Sequence, residues 1–321
     1  MRAVRFARTG DPSVLRVDDV PAPRAPVRDE LLVAVRASSV NGTDLGLRRG
    51  ELRVATVGRL PFVPGFDLAG QVLAVGPQVT AFAPGDRVLA LLGHRGGGAA
   101  ERVLLRQSRA ARVPAEMPDE QAAALPLAGL TALQALFGAG GLWRRARPAR
   151  VLVLGAAGGI GAYGVQLARL AGAHVTGTAR AAQHDFVRGL GVDGLLDHRT
   201  QDVTAAGERW DLVLDSPGLY SLEQLRPVLT DDGVLVSTRP LSLDAVRGLA
   251  PRRLRAAGPR LAGVMTKARS QDLAHLTALV DAGRLVVPMD SVLPLERAAD
   301  AHRRAEGDAA GKVVLRVDAH I

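Results

Sequence analysis

A glycine-rich turn carries the clearest chemical signature of the chain, within the segment VLVLGAAGGIGAYGVQLAR at 151–169. Gly159, Gly161 and Gly164 fit the spacing G-x-G-x-x-G, the fingerprint of a dinucleotide site. Glycine lets the backbone turn sharply and approach a pyrophosphate without a Cβ in the way. A helix that starts there directs its free N–H groups and the positive end of its dipole at the phosphates. Because a strand of the buried type precedes the turn and an amphipathic stretch follows it, the segment predicts a nucleotide site.

The elements around this turn have the rhythm of a doubly wound parallel sheet, in which strands alternate with helices. The strand-like runs lie at 151–154, 174–178, 194–196, 211–214 and 233–237. Arg260–Met265 could add a last strand. Before about residue 124, short β-type runs between Gly and Pro breaks indicate a mostly antiparallel β domain instead. The run at 311–317 also reads as a strand, which would be isolated unless it rejoined that β domain.

Length and charge restrict the classes of protein that the chain can represent. At 321 residues it exceeds one ordinary core, which favours two domains. A net charge of +9 would suit a nucleic-acid partner, but the basic residues are scattered, without a basic stripe and interleaved aromatics. The local clusters Arg144–Arg147 and Arg252–Arg255 are typical of solvated helix faces. We therefore expect no nucleic-acid partner.

Cysteine usage and apolar runs exclude further classes. The chain has no cysteine, which excludes a disulfide framework, an iron–sulfur cluster and a Cys-ligated zinc site. The N-terminus lacks the apolar segment of a signal peptide. The uncharged run from Ala122 to Trp143 is long enough to span a bilayer, but Pro126, four glycines and two polar residues favour a buried helix and loop. We expect a cytoplasmic protein without a membrane span.

Several segments resemble, in order, the zinc-independent quinone oxidoreductases of the medium-chain dehydrogenase/reductase superfamily, over essentially the whole chain. They are SSVNGTDLGLRRG at 38–50, LPFVPGFDLAGQVLAVGPQV at 60–79, FAPGDRVLA at 82–90, GGGAAERVLL at 96–105, LPLAGLTALQAL at 125–136, GAAGGIGAYGVQLA at 155–168, DFVRGLGVDGLLDHR at 185–199, WDLVLDSPG at 210–218 and AAGKVVLRV at 309–317. The resemblance implies an α/β fold with a GroES-like β catalytic domain, 1–124 and 267–321, and an inserted Rossmann domain at 125–266. It also implies NADPH-dependent reduction of a quinone or an α,β-unsaturated carbonyl compound, usually by a homodimer.

The resemblance also bears on zinc. Alcohol dehydrogenases of the superfamily carry a cysteine before G-T-D and a His-Glu pair after P-G as catalytic-zinc residues. This chain has Asn41 in the first place, and Phe66 and Asp67 in the second. Its seven histidines are dispersed without ligand spacing. We therefore expect no metal.

Without a metal, hydrogen-bond donors must stabilise the charge that develops on the substrate oxygen as hydride arrives. Asn41 is the first candidate, because its amide donates and does not titrate, and the matching asparagine in the family lies beside the nicotinamide. Asp44 could act in catalysis or cap the following helix. Thr131 matches a family position near the nicotinamide ribose or carboxamide. Many relatives place a tyrosine near residues 51–60, where this chain has none, so we expect no tyrosine as proton donor.

The cofactor residues are expected at the glycine turn and at the strand ends beside it. They are Gly155, Ala157, Gly158, Gly159, Ile160, Gly161, Thr178, Arg180, His198, Ser216, Gly218, Ser237 and Lys312. Lys312 matches the family's Gly-Lys and could reach the nicotinamide, a phosphate or simply a carboxylate.

The second strand of the nucleotide domain favours NADPH over NADH. An NAD site needs a carboxylate about 20 residues past the glycines to hold the ribose 2′-hydroxyl. Here the strand runs into Ala179 and Arg180, with no carboxylate before Asp185. Arg180 can bind a 2′-phosphate through two hydrogen bonds. His198 takes the place of a family tyrosine near the same phosphate, or is a surface histidine.

Two alternatives remain open. The chain could be an enoyl reductase for a carrier-bound substrate, with surface arginines meeting an acidic carrier protein. It could instead be a weakly catalytic NADPH-binding protein with an RNA-binding or structural role. A comparison of activity on free quinones with activity on acyl-carrier substrates distinguishes the first alternative from a quinone reductase. Salt-sensitive RNA retention without NADPH oxidation would favour the second alternative.

Overall fold

The computed structural model describes residues 1–52, 60–145, 148–239 and 258–318. The chain divides into two compact units. The first unit consists of Met1–Leu127, Lys267–Gly283 and Val287–Ile321, and the second of Ala128–Thr266 with Arg284–Val286. The sequence placed these transitions after residue 124 and at residue 267. The arginine cluster Arg252–Arg255 and most of the tyrosine-free segment at 51–60 lie outside the described residues.

The strands are numbered along the chain. They are β1 (Arg2–Arg5), β2 (Arg16–Asp19), β3 (Glu30–Ser39), β4 (Asp67–Val75), β5 (Arg87–Leu91), β6 (Arg102–Arg106), β7 (Ala110–Arg112), β8 (Arg150–Leu154), β9 (His174–Ala179), β10 (Gly194–Asp197), β11 (Trp210–Asp215), β12 (Leu229–Ser237), β13 (Arg260–Gly263), β14 (Met289–Pro294) and β15 (Lys312–Arg316). The helices are α1 (Gly42–Arg49), α2 (Asp119–Ala124), α3 (Pro126–Leu133), α4 (Gly159–Leu170), α5 (His184–Gly189), α6 (Leu222–Leu225), α7 (Ser270–Asp281) and α8 (Ala298–Glu306).

The first unit contains a mostly antiparallel sheet. Among the described residues it has seven strands, in the order β14-β15-β3-β4-β5-β7, with β6 also paired to β3. The terminal strand β15 pairs antiparallel with β3 through Val314 and Ser39, and parallel with β14. This confirms that the last strand rejoins the N-terminal β region. It also brings the end of β3 next to the start of β15.

The second unit contains a parallel sheet. Six strands of the described chain pair in the order β10-β9-β8-β11-β12-β13. In chain order this is the doubly wound arrangement 3-2-1-4-5-6, whose switch point lies between the first and fourth strands. Here those strands are β8 and β11, which pair through Leu154 and Asp215. The predicted last strand exists but is shorter, because β13 ends at Gly263 and Met265 is 76% exposed.

The uncharged run at 122–143 does not form one long helix. It divides into the end of α2, then α3, and then one π-helical segment, Gln134–Ala139. A Cβ on Gly140 would lie 2.2 Å from Leu212 Cδ1, so the chain packs closely on β11 there. Within the described residues, no helix combines the length and apolarity needed to cross a membrane.

Candidate active site

Five polar residues are buried together in the first unit and are called here the Asn41 cluster. They are Ser39, Asn41, Asp44, Asp67 and Lys312. Buried charges are costly unless they are paired and hydrogen-bonded. The interactions within the cluster therefore matter both for folding and for chemistry.

Strand register explains why these residues meet. Val314 lies opposite Ser39 in the β15–β3 pair, so the antiparallel register continues to Lys312 opposite Asn41. Ala37 lies opposite Ala69 in the β3–β4 pair, so Ser39 faces Asp67 in the same way. Alternate residues of a strand share one face, and opposite residues lie about 5 Å apart between Cβ atoms. The register therefore gathers the cluster on one face of the sheet.

The Asn41 side chain bridges a cation and a carboxylate. Lys312 Nζ donates to Asn41 Oδ1 over 2.5 Å and to the carbonyl oxygen of Val40 over 3.2 Å. Asn41 Nδ2 donates to Asp67 Oδ2 over 2.9 Å. Its contacts with Ser39 are longer, at 3.2 Å to the carbonyl oxygen and 3.4 Å to the hydroxyl. The Asn41 Nδ2 thus makes its short hydrogen bond with Asp67 and longer contacts with Ser39.

Asp67 accepts hydrogen bonds on both carboxylate oxygens. Ser39 Oγ donates to Oδ2 over 2.5 Å, and the backbone N–H of Leu127 donates to Oδ1 over 2.7 Å. The ammonium of Lys312 lies 3.8 Å from Oδ2. Burial raises the pKa of Asp67 and lowers the pKa of Lys312, while the charge of each residue acts against the shift of the other. Asp67 was not among the functional residues predicted from the sequence, although a carboxylate within the apolar stretch at 60–79 was the available signal.

Asp44 holds the start of α1. Its Oδ2 accepts from the backbone N–H of Asn41 over 2.9 Å, and its Oδ1 accepts from the N–H of Gly65 over 2.7 Å. Gly65 has a φ of +94°, in the region that favours glycine. Burial raises the pKa of Asp44 to about 7, although the two backbone donors favour the ionised form. Of the two roles expected from the sequence, these contacts correspond to capping.

Thr131 and Lys312 each lie in the part of the chain where the predicted domain boundaries placed them. Thr131 lies in α3 of the second unit, where its hydroxyl shares a hydrogen bond of 2.6 Å with the hydroxyl of Thr266. Lys312 lies in the first unit and is 3% exposed, and its predicted cofactor role remains a prediction. Its ammonium is bound to Asn41 beside Asp67, which matches the carboxylate alternative, because strand register fixes it there.

The second unit contains the glycine turn. Gly155 follows β8 with a φ of +69°, and α4 begins at Gly159. The N-cap residue of α4 is Gly158, so no N-cap side chain accepts a hydrogen bond from the first turn of the helix. The N–H groups of a first helical turn have no partner within the helix, so they can donate to phosphate oxygens. Ala157 and Ile160 lie in the same turn, the first buried and the second half-buried.

Two glycines of the fingerprint permit close packing, which tests whether the turn fits a dinucleotide. A Cβ on Gly161 would lie 2.1 Å from the carbonyl oxygen of Gly155, so α4 starts directly against the turn. A Cβ on Gly164 would lie 2.7 Å from Leu214 Cδ2, so α4 packs closely on β11. The packing at Gly164 is the role that the dinucleotide fingerprint assigns to its third glycine. The turn therefore fits a dinucleotide phosphate.

Neighbouring strands hold the turn in place. Thr178 Oγ1 accepts from the N–H of Gly155 over 3.1 Å, and its carbonyl oxygen accepts from Ala156 over 2.8 Å. Ser216 Oγ donates to the carbonyl oxygen of Leu154 over 2.8 Å. Both side chains thus support the backbone of the turn. The predicted cofactor role of Thr178 and Ser216 remains a prediction.

The loop after β11 is ordered by a buried carboxylate. Asp215 accepts from the N–H groups of Gly218 and Tyr220, each over 2.9 Å. Burial raises the pKa of Asp215, against these hydrogen bonds. Gly218 has a φ of +68°, and Ser237 at the end of β12 accepts from the N–H of Arg239 over 3.2 Å. The structure therefore places Ser216, Gly218 and Ser237 at the carboxyl ends of adjacent strands.

Arg180 and His198 come together at the ends of β9 and β10. Ala179 pairs with Asp197, so the next residue of each strand is Arg180 or His198. Arg180 Nε donates to Gln183 Oε1 over 3.4 Å, and His198 is exposed. Asp197, which sequence analysis did not place here, accepts from the N–H groups of Ala181 and Arg199, and the latter contact lowers its pKa. The ends of β9 and β10 thus combine the basic residues Arg180 and His198 with one carboxylate, Asp197, that already accepts backbone hydrogen bonds.

The residues at the zinc positions of the superfamily do not fit a catalytic zinc. Phe66 offers an apolar ring, and both oxygens of Asp67 already accept hydrogen bonds. The ammonium of Lys312 beside them would repel a divalent cation. Among the described residues, no group of three His, Asp or Glu side chains could hold a metal ion.

The fold and the glycine turn define an oxidoreductase of the nicotinamide-dependent type. Family models match in both parts of the chain, an alcohol dehydrogenase GroES-like domain at 27–115 and a zinc-binding dehydrogenase at 190–315. The chain is 34% identical to a chloroplast envelope quinone oxidoreductase homolog of Arabidopsis thaliana, over 92% of each protein. It is 32% identical to the chloroplastic quinone-oxidoreductase QR1 of Triphysaria versicolor, over 98% of each protein.

Solved structures agree with this classification. A quinone oxidoreductase from Coxiella burnetii has 30% identity and a TM-score of 0.88, over 99% of both chains. A mycobacterial protein solved with NADPH has 30% identity and a TM-score of 0.82, over 98% of this chain and 100% of that chain. The chain belongs to the quinone oxidoreductase family of the medium-chain dehydrogenase/reductase superfamily. The predicted α/β fold and family are thereby confirmed.

Proposed function

We propose that the chain is an NADPH-dependent reductase of quinones or α,β-unsaturated carbonyl compounds. The observation that carries this proposal is the Asn41 amide, which a cation and a carboxylate hold in one orientation where zinc relatives carry a metal ligand. A neutral amide can stabilise negative charge on a substrate oxygen without changing its own protonation state. The quinone oxidoreductase relatives support the substrate class.

The glycine turn of the second unit would hold the dinucleotide. The first-turn N–H groups of α4 would donate to the pyrophosphate, with Thr178 and Ser216 keeping the turn in shape. A bound reduced nicotinamide supplies the hydride that the acceptor receives. Among the described residues, the turn lacks any side chain that would obstruct the phosphate at Gly158, Gly159 and Gly161.

Asn41 would act on the substrate oxygen through its second amide hydrogen. The contacts of Asn41 Nδ2 with Ser39, at 3.2 Å and 3.4 Å, are longer than the usual distance of about 2.9–3.0 Å for such bonds. An anionic oxygen is a stronger acceptor and can replace them. Asp44 would serve by fixing the start of α1, which carries Asn41 at its N-cap.

Water would supply the proton that completes the reduction. Tyr163 is fully buried in α4, and Tyr220 is half-buried after β11. A hydroquinone anion can take its proton from water, and so can the carbon centre of a reduced enone. We therefore assign no side chain to proton donation.

NADPH rather than NADH would be the preferred cofactor. Arg180 and His198 lie side by side at the ends of β9 and β10, where a ribose phosphate binds in this type of sheet. Arg199 follows directly and is exposed. The two backbone donors on Asp197 reduce the repulsion that its carboxylate would exert on a phosphate.

The deciding experiment measures NADPH oxidation by the purified chain against quinones, enals, cyclic enones and acyl-carrier enoyl substrates. We expect turnover with free quinones or enones that exceeds turnover with carrier-bound substrates. The carrier-bound substrates are included because the chain is similar to a CurK enoyl reductase structure, with 26% identity and a TM-score of 0.84. Turnover confined to carrier substrates, or no oxidation with any acceptor, would refute the proposal.

We also propose a homodimer. In the described part of the second unit, β13 pairs with β12 on one side and with no strand on the other. An open edge strand can pair with a second copy. Light scattering at several concentrations tests this, and a mass of one chain throughout would refute it. A cytoplasmic location and the absence of nucleic-acid binding remain predictions of the sequence.

A further inference from the structure

Two residue types that the chain hardly uses meet in the Asn41 cluster. Asn41 is the single asparagine among 321 residues, and Lys312 is one of two lysines, the other being Lys267. Nearly all other cations of the chain are arginines. Yet a lysine stands at position 312, 3% exposed, and its ammonium contacts that single asparagine. Composition and geometry thus independently single out the same pair of residues.

Fold stability alone does not account for the buried charges. Asp67 is fully buried and Lys312 nearly so, and the two are separated by 3.8 Å, outside hydrogen-bond distance. Desolvation of such a pair costs free energy, and apolar side chains of similar size often serve folding as well. The charges therefore require another explanation.

The explanation lies in the orientation of the Asn41 amide. An amide presents an oxygen that accepts and a nitrogen that donates, in nearly the same shape. The Lys312 ammonium can only donate and an ionised Asp67 can only accept. In a reversed amide, the Asn41 NH2 group would face the Lys312 ammonium, donor against donor. Its oxygen would face the Asp67 carboxylate, acceptor against acceptor. The two charges therefore select one of its two orientations.

We propose that Lys312 and Asp67 are positioning residues, which hold Asn41 with one N–H anchored on Asp67 and the other available to the substrate oxygen. The ammonium also draws electron density toward Oδ1, which makes the remaining N–H a stronger donor. This inference rests on the proposed reduction, because it assigns a role to Asn41 in that reaction. Both residues act through Asn41 and touch no reacting atom themselves.

The first test observes the amide directly. Because the chain has one asparagine, 15N labelling of asparagine side chains gives one pair of amide proton signals in an NMR spectrum. Lys312→Met and Asp67→Thr each remove one charged partner at similar volume, and neither adds a second asparagine. We expect both to shift the Asn41 amide signals, and Lys267→Met, at an exposed position, to leave them unchanged. Signals that do not move in Lys312→Met would overturn the inference.

The second test separates action through Asn41 from independent action. We expect Lys312→Met to lower kcat by roughly tenfold or more, with the dissociation constant of NADPH within about twofold of the parent. The double variant Asn41→Ala with Lys312→Met should then be no slower than Asn41→Ala alone, because the group that Lys312 positions is already absent. Losses that multiply in the double variant would overturn the inference.

The two tests also distinguish this inference from the proposed function. A parent protein that reduces no acceptor would refute the proposed function, and the NMR signals would still decide whether Lys312 and Asp67 orient Asn41. If Asp67→Thr does not fold, Ser39→Ala replaces it, since the Ser39 hydroxyl donates to Asp67 Oδ2 over 2.5 Å. A shift of the amide signals in Ser39→Ala is then the expected result, and its absence counts against the inference.

Discussion

Gly161 faces the carbonyl oxygen of Gly155 so closely that a Cβ on Gly161 would lie 2.1 Å from it. The nearest atoms belong to the backbone, so no side-chain rotation can relieve the contact. The first turn of α4 can therefore lie this close to Gly155 only because Gly161 has no side chain. This contact sets the distance between the helix N-terminus and the turn, where the phosphates would bind.

Gly161→Ala should weaken cofactor binding. The added methyl group must push α4 away from the turn, and overpacking of this kind typically costs about 1–3 kcal/mol. We expect the dissociation constant of NADPH to rise at least roughly tenfold and the free energy of unfolding to fall. Fluorescence titration and urea unfolding measure the two effects. The matched control is Gly189→Ala in α5, where a Cβ meets nothing within 4 Å, and equal losses in both variants would contradict the prediction.

Arg180→Ala should change the preference between the two nicotinamide cofactors. A charge-assisted hydrogen bond contributes about 1.5–3 kcal/mol, so NADPH affinity should fall roughly 10- to 100-fold. NADH lacks the 2′-phosphate, so its affinity should stay nearly constant. Titration of both cofactors gives the ratio, with Arg188→Ala as a control, because Arg188 is exposed and pairs with Asp185. A ratio that Arg180→Ala leaves unchanged would count against the assignment of Arg180.

Asn41→Ala should lower turnover without weakening cofactor binding. Removal of one donor to a developing oxyanion typically costs ~10²–10³ in rate. The phosphate contacts of NADPH would be made by the glycine turn and not by Asn41, so the dissociation constant of NADPH should change by less than about threefold. Steady-state kinetics and titration provide the comparison. Gln78→Ala removes an exposed amide of the first unit and serves as the control, and an Asn41→Ala variant with parental turnover would remove Asn41 from the mechanism.

Asp44 should make the protein less stable as the pH rises from about 4 to about 7. Burial raises the pKa of Asp44 from 3.8 to about 7 in the folded chain. Between these values the folded state holds a proton that the unfolded state has released, so the free energy of unfolding falls as pH rises. The contribution is fully present below the lower value and lost above the higher one, a change on the order of 4 kcal/mol.

Urea unfolding of the parent and of Asp44→Asn across this pH range tests that expectation. The variant cannot release a proton at position 44, so its stability should decline less steeply with pH. Its absolute stability should be lower, because one amide oxygen replaces two carboxylate oxygens that accept from Asn41 and Gly65. Burial raises the pKa of Asp67 as well, so the comparison uses the difference between the two slopes. Parallel slopes would disprove the role of Asp44.

Local pattern was sufficient to predict much of the second unit. The glycine spacing and the alternation of apolar runs with helices depend on residues close in the chain, where steric rules act directly. The parallel sheet and the helix that starts at Gly159 both follow this pattern in the structure. The arginine after β9 was also visible in the sequence.

The composition of the Asn41 cluster was decided by tertiary structure. Asn41 and Asp44 stand close in the chain, but Asp67 and Lys312 reach them only through the pairing of β3 with β4 and β15. Asp197 likewise reaches the end of β9 only through strand pairing, and for that reason the sequence analysis overlooked both carboxylates.

The sequence by itself determined which backbone positions can approach a phosphate, because the absence of a Cβ is a property of each glycine. It could not determine which charged groups share a buried site, because that depends on the register between strands distant in the chain. A shift of one residue in the β15–β3 pair would turn Lys312 to the opposite face and leave Asn41 Oδ1 without its donor. The tertiary structure alone therefore decided that the ammonium of Lys312 contacts the side chain of Asn41.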